Sequence, residues 1–541
     1  MPAPQPNSPP ANQSPTRYNA AEDLLARNLP IRANKVVLLD ETGSYTFAEL
    51  AERVNRCANA LLSLGIKPHA RIALCLLDTI DFPTCFLGAI KAGIVPIPLN
   101  TMFQPLDYAH VLTDAQPQAI IISHSLLPQV KEAMGTADWH GQVIVSGNDS
   151  TELLALSALL ANVSGTASAA PTSPGDVCFW LYSSGSTGKP KGAVHKQTSM
   201  ARTAELFAQQ VLGLREDDII YSAAKLFFAY GLGNALSFPL AVGATAILYS
   251  SRATASAVYE VLRKHKPTIF CGVPTLFSAL LACADLPSRE QLALRLCVSA
   301  GEALPEQVGR AWTARTGVEI VDGIGSTEML HIFISNRPGA CRYGTTGKLV
   351  PGYKARLLDE KGREVPHGVM GELHVSGPTA AAYYWNDPER TKSTFVGEWV
   401  KTGDRFRVND DGDYIYCGRS DEMLKVSGIW VSPTEVESAL MAHDSVLEAA
   451  VVGVTDEHGL IKPKAFIVLK PGVAHRPGLD EELKVFLKGR LAPYKCPRAI
   501  EFRDELPKTA TGKIRRTVLR EEANAACKKP PLQQTLDAGG A

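Results

Sequence analysis

At 541 residues the chain exceeds what one hydrophobic core ordinarily organises, so two or more domains are expected. Apolar residues make up 45% and charged residues 20%, the balance of a folded, water-soluble protein. Lys plus Arg and Asp plus Glu both number 55, so the composition points to neither a nucleic-acid partner nor an anionic membrane, and any phosphate must be bound by local loops.

The proline-rich start lacks the basic and apolar stretches of a secretion signal, and residues 1–15 are expected to form a disordered tail. Residues 46–62 carry apolar side chains at helical spacing, while 71–77, 119–123 and 177–182 are short apolar runs that predict buried strands. Glycine, asparagine, serine and proline interrupt residues 231–248, which argues for buried structure over a membrane span. Strands are also expected at 294–299 and 318–321, each followed by a small-residue loop, 300–305 and 322–328. Such alternation predicts α/β layers with largely parallel sheets and ligands at the carboxyl ends of the strands. After about residue 419 the pattern changes to short strands such as 413–416 and 449–454, with two amphipathic helices. One of these starts at Ser432, where Pro433 suits the first turn and Glu435 would close a capping box. The expected organisation is an N-terminal domain over 16–420, a compact α+β domain over 421–522, and a tail over 523–541. The eleven cysteines are scattered without CxxC or Cys/His ligand spacing, which predicts reduced thiols in a cytoplasmic protein and no zinc site.

Residues 182–192 carry most of the chemistry. Ser183, Ser184, Ser186 and Thr187 alternate with Gly185, Gly188 and Gly192, and Lys189 and Lys191 flank Pro190. Glycines let backbone N–H groups face an anion while hydroxyl and ammonium groups complete a phosphate cradle. A Walker A loop is excluded, because Pro190 follows Lys189 where Ser or Thr is required and Ser183 stands where the first glycine belongs.

This segment resembles the signature loop of the adenylate-forming acyl-CoA synthetase superfamily, and five further segments match in order over roughly residues 35–520. The resemblance implies a large N-terminal domain of layered mixed and parallel sheets with a distorted β-barrel, followed by a small mobile α+β domain. It implies that residues 325–328 form the ATP motif, with Thr327 on the α-phosphate and Glu328 helping to hold Mg²⁺. Gly301, Glu302, Ala303, Asp322, Gly323, Ile324 and Gly325 would line the nucleotide, Ile324 replacing a tyrosine common in the family. Asp404 would accept both ribose hydroxyls, with Arg419 as its partner on ribose or phosphate. Asp421 matches the hinge, and Lys513, in the 506–516 motif, matches the mobile lysine that bridges carboxylate and α-phosphate. Ser427, Gly428 and Trp430 match the loop beside the phosphopantetheine arm of CoA, with Trp430 as ordinary core the alternative.

Residues 225–234, and among them Phe228, Ala229, Tyr230 and Gly231, fall where family members contact the acyl group, with Gly325, His331 and Ile332 opposite. A helix starting near Glu328 would turn His331 to the same side. Aromatics, one small alanine and glycine describe a flat, dry slot for a planar ring, and both segments are most similar to the benzoate–CoA ligase group. The implied activity is ATP-dependent formation of an aryl-AMP and transfer of the acyl group to CoA. Two alternatives remain open: an adenylating enzyme that loads a carrier protein in trans, and a nucleotide-binding regulator without chemistry. The resemblance leaves monomer and homodimer open, and the motif around Lys513 fits the pattern read by lysine acetyltransferases that silence related synthetases.

Overall fold

The computed structural model describes residues 17–147, 153–183, 189–283, 285–426, 429–456, 460–509 and 513–527. The expectations for residues 1–15 and for the end of the chain beyond 527 lie outside the described residues.

Two sheets with helices around them build the first part of the chain. Strands Val95–Pro98, Arg71–Cys75, Ala119–Ser123, Gln142–Ser146 and Leu154–Ala155 run parallel in that order. The predicted helix is Phe47–Ser63, with Thr46 and Glu49 forming a full capping box. It packs against Asp81–Lys91, where Cys57 lies so close to Gly88 that a Cβ there would stand 2.6 Å from its own. A nine-stranded sheet is parallel through its centre, from Ile320–Gly325 through Leu296–Ser299, Ile269–Gly272, Ile219–Ser222 and Thr245–Ile247 to Val36–Asp40. Antiparallel strands close both edges, Ile332–Ser335 and Lys348–Leu349 on one side and Gly43–Thr46 on the other. Residues 231–248 are buried helical turns and a strand of this layer. Among the described residues no helix is long and apolar enough to cross a membrane.

An antiparallel sheet follows, ordered Lys354–Leu358, Gly371–Ser376, Trp399–Val408 and Phe395–Val396, with Tyr414–Arg419 also paired to the long strand. The strand expected at 413–416 belongs to this sheet, inside the N-terminal domain expected over 16–420.

Beyond residue 421, Val446–Thr455 and Ile461–Leu469 pair antiparallel and Ala499–Phe502 adds a parallel edge. Three helices cover this sheet where two were expected: Pro433–Met441, Leu479–Lys488 and Arg516–Cys527. The last passes residue 523, where a tail was expected, because Leu519 and Ala523 bury against Val452, Val454 and Phe466. Ser432 does cap its helix, accepting from the Glu435 N–H, but the reciprocal half of the expected box is absent. The Glu435 carboxylate is occupied by Lys495 at 2.7 Å.

Candidate active site

The candidate site lies where Gly301 and Glu302 of the N-terminal part meet Lys513 and Ile514 of the C-terminal part. Strands Val177–Ser183 and Lys191–Lys196 form an antiparallel hairpin closed by the pair Ser183 and Lys191. The cradle expected between them, with Ser184, Gly185, Ser186 and Thr187, lies outside the described residues, as do Ser427 and Gly428 of the CoA loop. The hairpin nevertheless fixes Ser183 and Lys191 side by side at its mouth. Lys191 Nζ stands 3.1 Å from Glu328 Oε1 and donates to the Tyr384 hydroxyl at 2.6 Å. Tyr384 in turn donates to Glu328 Oε1 at 2.6 Å. Burial favours protonating Glu328, but the Lys191 charge and the Tyr384 hydrogen bond outweigh it and hold the carboxyl below the usual range. Glu328, with 14% of its side-chain surface exposed, is thus an ionised oxygen donor. Tyr384 was missed in the sequence because its partners are 56 and 193 positions away.

Residues 326–331 form a turn, not the expected helix. Leu330 N–H donates to Thr327 O, and Leu330 itself takes a left-handed φ of +65° while staying buried. Pairing of Gly325 with Ile332 across the two strands brings the chain straight back, leaving no length for helical turns. Glu328 O accepts from Ala381 N–H and Met329 O from the Thr379 hydroxyl, which pins the turn to the following segment.

On the nucleoside side, Gly301 takes φ +97°, and a Cβ there would lie 3.4 Å from Lys513 Cε. Glu302 Oε1 accepts the Ile514 N–H at 3.1 Å. The mobile-lysine segment is therefore docked on the 300–305 loop. Burial pushes the Glu302 carboxyl up, against the pull of Arg516 and Lys513. Asp322 is buried with Oδ1 unpartnered, and burial raises its carboxyl well above the usual value. Asp404 faces Arg419 across paired strands at 3.3 Å. The Arg419 guanidinium also donates to Thr402 O and stands 3.5 Å from exposed Asp421. Gly403 takes φ +74°, and a Cβ there would meet the Arg419 guanidinium at 2.8 Å, so a side chain would dislodge this pair. Burial lifts the Asp404 carboxyl to about 6, against the opposing charges of Arg419 and Lys513.

The acyl segment is constrained by backbone contact. A Cβ on Gly231 would lie 2.1 Å from Lys225 O, and the Tyr230 hydroxyl donates to Val298 O at 3.0 Å. Phe228 and Ala229 are half-buried and pack on the main core. His331 is 2% exposed, with its ring centroid 4.6, 5.3 and 5.6 Å from Phe238, Phe207 and Tyr230. Its ring fills the space above Gly233, where a Cβ would meet Cδ2 at 2.4 Å. Burial drives the imidazole down to about 3, so it is neutral. Ile332 is buried against Gly323. A second histidine, His195, went unnoticed in the sequence: it is wholly buried, stacks on Phe179 at 5.1 Å and is pushed down to about 4 by burial, against the attraction of Glu328. Trp430 is not core. It is half-buried between Arg405 at 4.9 Å and Lys425 at 5.2 Å, and its indole N–H donates to Glu360 across the two domains at 3.3 Å.

A lysine of the C-terminal part lies against Gly301, with its charge acting on the carboxyls of Glu302 and Asp404. Residues 25–385 match the AMP-binding enzyme family and residues 435–513 match the AMP-binding enzyme C-terminal domain, and the chain belongs to this adenylate-forming family. It is 59% identical over 517 residues to the benzoate–CoA ligase of Thauera aromatica, covering 95% of this chain and 98% of that protein. The 4-hydroxybenzoate–CoA/benzoate–CoA ligase of Rhodopseudomonas palustris is 47% identical over 93% of this chain and 94% of its own length. Among solved structures, a benzoate CoA ligase from Burkholderia xenovorans LB400 superposes with a TM-score of 0.88 at 51% identity, covering 93% of this chain and all of that one.

Proposed function

We propose that the chain is an AMP-forming ligase that activates benzoate, or a closely related aryl carboxylate, and passes the acyl group to CoA. The observation that supports this reading is the docking of the Lys513 segment on Gly301 and Glu302, and Phe228, Ala229, Tyr230 and His331 would wall the acyl side. A neutral His331 within a ring of aromatics suits an uncharged aryl face.

In the first half-reaction a carboxylate oxygen of the acid attacks the α-phosphorus of ATP and pyrophosphate leaves, giving the aryl-AMP mixed anhydride. Lys513 would neutralise charge that builds on carboxylate and phosphorus. Asp404 would accept the ribose hydroxyls, and Thr327 would donate to the α-phosphate. Residues 183–187 with Lys191 would hold the β- and γ-phosphates. Glu328 fits a divalent cation, being a carboxylate kept ionised, and such a cation shared with the phosphates would offset their charge. Among the described residues no set of three or more side chains forms a metal cage, so Mg²⁺ would bind as part of the nucleotide complex. In the second half-reaction the small domain would swing about Asp421 and bring the Ser427, Gly428 and Trp430 loop to the cleft. The CoA thiolate then attacks the acyl carbonyl, forming the thioester and expelling AMP.

ATP, Mg²⁺, benzoate and CoA should yield benzoyl-CoA, AMP and pyrophosphate. Without CoA, benzoate should drive exchange of labelled pyrophosphate into ATP. Exchange without turnover of free CoA would favour a carrier protein as acceptor, and absence of exchange would overturn the ligase reading. Need for ATP and CoA supports a cytoplasmic location, and an acetyltransferase acting on Lys513 would remove the charge used in adenylation.

A further inference from the structure

Tyr384, in the nucleotide half of the candidate site, has no part in the roles assigned so far. It is 2% exposed, and its hydroxyl sits between Glu328 Oε1 and Lys191 Nζ at 2.6 Å from each. The ammonium also lies 4.2 Å over the Tyr384 ring. The ring is fixed independently, edge-on to Phe395 at 5.2 Å, with the backbone bridged to Ala193 and its N–H donating to the Thr391 hydroxyl at 2.9 Å. Two consequences follow. An ammonium paired with this carboxylate is not free to bind phosphate, and both contacts to Glu328 fall on its Oε1.

We propose that Tyr384 is a positioning residue for nucleotide binding, and that Lys191 exchanges partners on it. Lys191 pairs with Glu328. When ATP arrives with its divalent cation, Lys191 moves to a phosphate oxygen while the Tyr384 hydroxyl keeps Glu328 Oε1 in place. Glu328 would stay compensated through the exchange, because it would hold the cation that accompanies the phosphates in place of the ammonium. The proposal rests on the assignment of Lys191 and Glu328 to the nucleotide site.

The test is equilibrium binding of ATP in the absence of benzoate, in Mg²⁺ and in EDTA. Tyr384→Phe keeps the ring and removes one hydrogen bond to a charged group, so affinity for Mg²⁺–ATP should fall about 10- to 100-fold. Binding of ATP in EDTA should be unchanged, because there Lys191 stays on Glu328. Lys191→Met should show the same selectivity. Equal weakening under both conditions, or undiminished Mg²⁺–ATP binding in Tyr384→Phe, overturns the proposal. Glu328→Gln separates the two levels. If it keeps the full Mg²⁺ dependence, the assignment of Glu328 fails, and if it alone loses it, Tyr384 has no positioning role. Should Tyr384→Phe fail to fold by thermal melting, Lys191→Met decides, and a loss of ATP binding in EDTA overturns the exchange.

Discussion

Lys513 is exposed, yet its Cε lies within van der Waals reach of the Gly301 loop. Lys513→Ala removes one charge aimed at the developing transition state, a loss worth about 3–4 kcal/mol, so benzoate-dependent adenylation should drop by roughly 10²–10³-fold. Thioester formation from synthetic benzoyl-AMP should be nearly normal, and equal loss of both steps would remove Lys513 from its assigned role. Asp404 offers a test in pH. Its carboxyl titrates near 6, and only the ionised form can accept two hydroxyl hydrogen bonds. Adenosine, which has no phosphate to titrate, should therefore bind about tenfold more weakly at pH 5 than at pH 7, and Asp404→Asn should flatten the profile. Folding runs the other way. The folded state holds the proton up to pH 6 while the unfolded chain releases it near 3.8, so this group costs stability as pH rises through that window. Asp404→Asn should raise the melting temperature at pH 7 and leave it little changed at pH 3.5.

At the scale of elements, the acyl segment is the least forgiving. Ala229→Leu adds bulk beside a packed core, at a typical cost of about 1–3 kcal/mol, or roughly 5- to 150-fold in binding. Benzoate turnover should collapse while propionate suffers less, and equal losses would place Ala229 outside the pocket. Elements set by local rules were legible in the sequence: the helix at 46–62 carries its own capping box, and the strand at 119–123 is a bare apolar run. What failed depended on distant partners. The Thr327, Glu328 and His331 spacing suits a helix, but pairing of Gly325 with Ile332 folds it into a turn. Glu435 has capping chemistry, and Lys495, 60 residues later, takes its carboxylate. The family resemblance supplied Lys513, Asp404 and Glu328 as candidates, whereas Tyr384 and His195 lack a local signature and acquire meaning through contacts across the fold.

At the scale of the whole molecule, the chain between Arg419 and Glu422 links two bodies. Asp421→Pro should fix φ near −65° and hinder rotation about this link. Adenylation, which uses the docked arrangement, should survive better than transfer to CoA from preformed benzoyl-AMP, and a parallel fall in both would place the pivot elsewhere. Polar contacts across the interface, such as Ile514 to Glu302 and Trp430 to Glu360, are single hydrogen bonds, each worth about 1 kcal/mol. The Lys513 amine would be open to outside reagents in proportion to any time its domain spends undocked. Benzoate and an unreactive ATP analogue should draw Lys513 into the filled cleft and slow its labelling by an amine-directed reagent, so that the enzyme is shielded from inactivation when its substrates are plentiful and open to it when they run out.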